Sequence, residues 1–180
     1  MDKVNVFKEK SAFLYYAKKL ILNFFLGLII TFVISIIFGY QYKLIGSGSM
    51  LPTLSLRSLV IVAPVEYEDL EIGDIITMKA SDNSTSSITF THRIVGKYNE
   101  ADNKTPLLPG DEGFEEAKYW QTQGDNNPNP DTNPVTEGRV VGKVVANFNF
   151  VGYAITYVKS NIFLFTFFAV IFMFAYMIIA

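Results

Sequence analysis

The sequence predicts a mostly β fold: one small antiparallel β-domain flanked by two membrane-spanning helices. Half of its 180 residues are apolar, and the longest uncharged apolar runs lie at the two ends. Between them, short runs rich in Val, Ile, Thr and aromatic residues alternate with Gly, Pro and Asn, and no helical apolar period is long enough to compete.

The first span is expected over residues 20–40, where LILNFFLGLIITFVISIIFGY carries no charge and supplies the ~20 apolar residues that a bilayer core demands. The second is expected over 162–180, IFLFTFFAVIFMFAYMIIA. A domain this small has too little protein to bury two helices that are apolar all round. Residues 1–19 hold Lys3, Lys8, Lys10, Lys18 and Lys19 against only Asp2 and Glu9, so the N-terminus is expected in the cytoplasm. Residues 41–161, in which acids outnumber bases, then form an extracytoplasmic domain at the cell membrane. A cleavable leader over residues 1–40 is the competing reading. Its apolar run would exceed the usual ~7–15 residues, and no A-x-A site follows.

Within the domain, strands are expected over Leu59–Ala63, Asp74–Lys79, Ser87–Lys97, Tyr119–Gln123 and Gly138–Ala146. The polar stretch Ser81–Ser87 and the acidic stretch Asn99–Ala117 are expected as loops; they hold the sequons at Asn83 and Asn103. The aromatic segment Val145–Val158 is expected at the membrane interface, with a last strand packed into the domain as the alternative for its first residues.

The absence of cysteine excludes disulfides, thiol catalysis and zinc–thiolate sites, and a single histidine excludes a multi-histidine metal site. A net charge of −2 without a basic cluster outside the N-terminus argues against nucleic acid as a partner.

Just beyond the first span, Gly46-Ser47-Gly48-Ser49-Met50-Leu51-Pro52 sets two hydroxyls among glycines before a proline, an open backbone that a substrate chain could approach. A serine needs a base within hydrogen-bond reach. The one imidazole, His92, lies where strand alternation puts Phe90, His92 and Ile94 on one face; Lys79, Lys97 or Lys143 could instead serve as a desolvated base. Asp125 and Asp131 lie in the Pro- and Asn-rich stretch Gln123–Pro134, where an aspartate can be a turn former or can orient an imidazole.

These segments, in this order behind an apolar span, resemble the boxes of type I signal peptidases. The likeness is to the endoplasmic-reticulum and archaeal type, also found in some Gram-positive bacteria, which has histidine where the usual bacterial enzymes have lysine. It covers roughly Gly46–Gly142. The resemblance implies that Ser49 of Ser49-Met50-Leu51-Pro52 is the nucleophile, and that Ser47 helps the Ser49 N–H to form the oxyanion hole. It also implies that His92 of His92-Arg93-Ile94 is the general base. In Gly124–Asp131 it implies Asp131 as the third triad member and Asp125 as a supporting carboxylate, and it adds a structural box at Gly73-Asp74-Ile75. The implied activity is that of signal peptidase I, a serine endopeptidase that removes signal peptides after small residues and needs no metal or cofactor. The implied partners are preproteins, membrane lipid and secretion machinery. Two rivals stay open: a Ser/Lys peptidase with a structural His92, and a catalytically inactive adaptor of a secretion complex.

Overall fold

The computed structural model describes residues 3–82, 88–99 and 106–179. It divides into two compact units, one ending at Tyr40 and one beginning at Gln41.

The first unit is one helix, α1 (Lys3–Ile37). Its 35 residues measure about 52 Å at ~1.5 Å per residue, and Ala12–Ile37 is long and apolar enough to cross a membrane. Thr31 and Ser35 donate back to the carbonyls of Gly27 and Phe32, so these hydroxyls are satisfied within the helix. Phe38–Tyr40 leave the helix through a turn with Gly39 in the left-handed region.

The second unit is built on one antiparallel sheet of β1 (Gln41–Leu44), β2 (Leu59–Ala63), β3 (Ile75–Lys79), β4 (Thr89–Tyr98), β5 (Tyr119–Gln123) and β6 (Val140–Phe148), in the order β1-β2-β6-β3-β4-β5. Two helices follow, α2 (Asn149–Ser160) and α3 (Ile162–Ile179). The mostly β domain and its five expected strands are present, with ends displaced by up to two residues. Strand β1 was not foreseen; four residues directly after a long apolar run are too few to show alternation.

The segment Val145–Val158 divides. Val145–Phe148 continue β6 against β2, the packed-strand alternative, whereas Asn149 opens a 12-residue helix. This corrects the expectation that no helical stretch interrupts the domain. The Val, Ile, Thr, Tyr and Phe of α2 suit strands equally well, and α2 meets the sheet at Gly152, close against the backbone of Arg57–Leu59. The sequons at Asn83 and Asn103 lie outside the described residues.

Two buried clusters hold the sheet. Ile45, Met50, Leu54, Val60 and Val62 pack at the β1–β2 end; Leu70, Ile76, Met78, Ile94, Trp120 and Val135 pack around β3, β4 and β5. Arg57, between β1 and β2, takes a left-handed backbone at φ 66° that side chains rarely adopt. Its N–H donates to the Ile45 carbonyl while Ile45 N–H donates to Ser58, and these two bonds hold the turn.

In β6, a Cβ on Gly142 would sit 2.2 Å from the Ala63 carbonyl oxygen. Gly142→Ala therefore cannot be accommodated without parting β2 from β6. Overpacking of this kind costs about 1–3 kcal/mol, so the thermal midpoint by circular dichroism in detergent should fall by several degrees. An unchanged melt would show that the two strands can separate freely.

Candidate active site

Ser49, His92 and Asp131 come from three separate segments and meet in one hydrogen-bonded line. Ser49 Oγ is 3.1 Å from His92 Nε2, and His92 Nδ1 is 2.6 Å from Asp131 Oδ2. A carboxylate can only accept, so Nδ1 carries the ring proton toward Asp131 and Nε2 of the neutral ring accepts from the serine hydroxyl. His92 is 8 % exposed, while Ser49 is half-buried.

Each member is held by its neighbours in the fold. Met50, 1 % exposed in the first cluster, pins the serine loop from below. From the other side, Asn126 N–H donates to the Ser49 carbonyl at 2.7 Å and Asn126 Nδ2 to that of Gly48 at 3.2 Å. Gly124 makes this approach possible, since a Cβ there would lie 2.6 Å from the Ser49 oxygen. At Gly46, by contrast, a Cβ would meet nothing within 4 Å, so the loop is open on that side.

His92 pairs with Ile76 across β3 and β4 and shares its strand face with buried Ile94. Asp131 is clamped to Thr122: its N–H donates to the Thr122 carbonyl at 2.8 Å, and Thr122 Oγ1 donates to Asp131 Oδ2 at 2.7 Å. Thr122 is fully buried on β5. Thr122 and Asn126 escaped the sequence reading: Thr122 resembles any strand threonine, and Asn126 any turn residue.

Asp125 does not touch the histidine. It receives Arg93 Nε at 2.9 Å and Nη2 at 2.8 Å, as well as the Thr53 hydroxyl, so it ties β4 to the serine loop. The Arg93 hydrogen bonds hold its carboxyl below the usual range, against the opposing effect of burial. Arg93 also donates through Nη1 to the Gly73 carbonyl. The Gly73-Asp74 box braces the same strand: Gly73 N–H donates to Ile94, Ile94 N–H donates to the Asp74 carbonyl, and Asp74 pairs with Lys143 at 2.6 Å.

The candidate lysine bases are engaged elsewhere. Lys143 is in that ion pair, Lys79 donates to the Gly138 carbonyl, and Lys97 lies over the Phe114 and Trp120 rings at 4.6 and 4.7 Å. Among the described residues no acidic or histidine cluster could hold a metal ion.

Ser47 Oγ lies 3.0 Å from Ser49 Oγ, and both open into a cleft of about 200 Å³. Lys43, Leu44 and Ile45 line one wall and Thr89–His92 the other. Three strands separate β1 from β4 in the sheet, so the sheet curls to bring them face to face. The pairing of β5 with β4 begins only at Arg93, and no described strand covers the outer edge of Thr89–His92. A second cavity of about 220 Å³ adjoins His92, lined by Met78, Phe90, Asp131 and Arg139.

Residues 17–98 match the model of the family described as signal peptidase, peptidase S26, a stretch that holds both Ser49 and His92. Over that stretch the chain is similar to type I signal peptidases. It is 33% identical over 105 residues to signal peptidase I W of Bacillus subtilis (strain 168), a match covering 58% of this chain and 46% of that relative. The chain thus spans less than half the length of the curated relative it matches. The likeness to signal peptidases and the apolar helix α1 together point to association with a membrane.

Because Asp125 is paired with Arg93 in the fold, its folded pKa lies below the unfolded value, and the stability it contributes is present above ~4 and lost as pH falls through the folded pKa. The gap in thermal midpoint between wild type and Asp125→Asn should therefore be full at pH 7 and close below about pH 4. A gap that persists unchanged at pH 3 would mean that the carboxylate's charge is not what holds β4 to the loop.

Proposed function

We propose that this chain is a membrane-bound serine endopeptidase that removes N-terminal signal peptides from exported preproteins after small residues. The observation that carries the reading is the Ser49–His92–Asp131 line, at 3.1 and 2.6 Å, opening onto a strand edge that no other described strand covers.

An extended segment of the preprotein adds to the free edge at Thr89–His92 and takes its affinity from main-chain hydrogen bonds, with side chains alternating into the cleft. A volume of about 200 Å³ is small beside the ~300–1,000 Å³ of drug-sized sites, which favours small side chains next to the cut. Ser49 attacks the scissile carbonyl as His92 takes its proton; His92 then protonates the leaving amine, and Asp131 keeps the ring oriented. The oxyanion is met by the Ser49 N–H and the Ser47 hydroxyl, each such donor contributing ~3 kcal/mol in comparable sites. Water, deprotonated by His92, releases the acyl group.

The Lys-rich start of the chain lies in the cytoplasm, α1 and α3 cross the membrane, and the β-domain stands on the outer side. The likeness to a signal peptidase I supports preproteins as substrates.

Purified full chain in detergent, given a preprotein, should cleave it. Ser49→Ala and His92→Ala should abolish cleavage with unchanged circular dichroism, and Asp131→Asn should lower kcat by something like ~10⁴-fold. A folded Ser49→Ala variant that still cleaves would overturn the assignment. Near-normal activity of His92→Ala would point to a lysine base.

Topology has its own check. The chain has no cysteine, so Ser81→Cys offers a single thiol at an exposed position of the domain. A membrane-impermeant maleimide added to intact cells should label it, whereas labelling only after lysis would reverse the orientation.

A further inference from the structure

Helix α2 is built the wrong way round for a soluble domain. Its close approach to the sheet is made by Gly152, whose added Cβ would fall 2.0 Å from the Arg57 carbonyl oxygen and 2.5 Å from the Leu59 nitrogen. At 100° per residue, Asn149, Ile155, Thr156, Lys159 and Ser160 share the Gly152 side. Phe150, Tyr153, Ala154, Tyr157 and Val158 fall on the opposite side, at the i, i+3, i+4, i+7, i+8 spacing of an apolar face. Phe150 is 81 % exposed, Tyr153 57 % and Tyr157 56 %. The apolar face therefore points away from the sheet, where Tyr157 meets the Phe165 ring of α3 with centroids 6.4 Å apart, and the helix carries no acidic residue.

What covers that face follows from the next element. Chain direction turns by 77° at Asn161, which donates to the Tyr157 carbonyl through both N–H and Nδ2, and α3 then runs 18 uncharged residues. At ~1.5 Å per residue α3 alone measures about 27 Å, close to the ~30 Å of a bilayer core. With α3 along the membrane normal, α2 lies nearly in the membrane plane.

We infer that α2 is an in-plane helix whose Phe150–Tyr153–Tyr157 face is embedded in the lipid headgroup boundary and sets the height of the active cleft above the bilayer. The path from lipid to cleft is short. Gly152 rests on the backbone of Arg57–Leu59, that turn exchanges two hydrogen bonds with Ile45, and Ile45 lines the cleft beside Ser47 and Ser49. The aromatic side chains with polar tips suit an interface, and Lys159 on the domain side can reach lipid phosphates. The inference rests on α3 crossing the membrane, as proposed above, but not on the peptidase activity.

Full-length chains carrying Phe150→Cys, Tyr157→Cys or, as a deep control, Phe172→Cys, each labelled with an environment-sensitive fluorophore, are reconstituted in phosphatidylcholine vesicles. Nitroxide lipids labelled near the headgroup should quench positions 150 and 157 equally and more than nitroxides near the chain end, with the reverse order at 172. A depth gradient between 150 and 157, as in a broken span, or no quenching at either, as in a solvated or protein-covered face, would overturn the inference. If position 172 is not quenched most by deep nitroxides, the spanning role of α3 fails and the inference falls with it. Where wild type cleaves, Phe150→Asp/Tyr157→Asp should slow cleavage of a vesicle-inserted preprotein by ten-fold or more and leave a short soluble peptide substrate within two-fold. Equal loss on both substrates, or none on either, would show that α2 does not set the height of the cleft. If wild type cleaves neither substrate, the peptidase reading fails while the quenching result still decides the position of α2.

Discussion

The carbonyl of Ser49 is the joint on which the site depends. It is the point where the serine loop, anchored below by Met50, is received by the Gly124–Asn127 turn through the Asn126 N–H. A backbone hydrogen bond of this kind is worth only about 1 kcal/mol net. Its importance is geometric: it fixes Ser49 against the same turn whose continuation carries Asp131 back to Thr122. Gly124 allows it, because any side chain at that position would hold the two backbones apart.

Around that joint the two aspartates divide the work. Asp131 shares one oxygen between His92 and Thr122, so its position is set by a buried hydroxyl and its own N–H. Asp125, six residues earlier, spends its charge on Arg93 and Thr53 and joins β4 to the serine loop. Charge-assisted, bidentate bonds such as Arg93–Asp125 are the strong kind, and here one also aligns the strand that presents His92. The Gly73-Asp74 box adds a second brace to that strand at Arg93 and Ile94. Preorganisation of this sort holds the Ser49 hydroxyl and the His92 ring within hydrogen-bond reach of each other.

The curl of the sheet supplies the rest. Bringing β1 opposite the start of β4 makes a cleft from strands that are not neighbours, and the late start of β5 leaves one edge of that cleft without a strand partner among the described residues. Uncovered edges are a hazard that proteins normally blunt. Here the edge lies beside Ser49 and His92, where an extended chain can use it.

Much was legible in the sequence because it depends on local pattern. Long uncharged runs mark the terminal apolar helices, period-two runs mark five of the six strands, and hydroxyl, imidazole and carboxylate boxes mark Ser49, His92 and Asp131. Strand β1 and helix α2 were not legible, since four residues show no period and β-branched and aromatic residues fit a helix as well as a strand when tertiary context decides. Only the tertiary structure separated Asp131 from Asp125, turned the three candidate lysines to other partners, and brought in Thr122, Asn126 and Gly124. Those assignments depend on which atoms meet across 9 to 77 residues of chain, and distance in space is not encoded in the periodicity of any one segment.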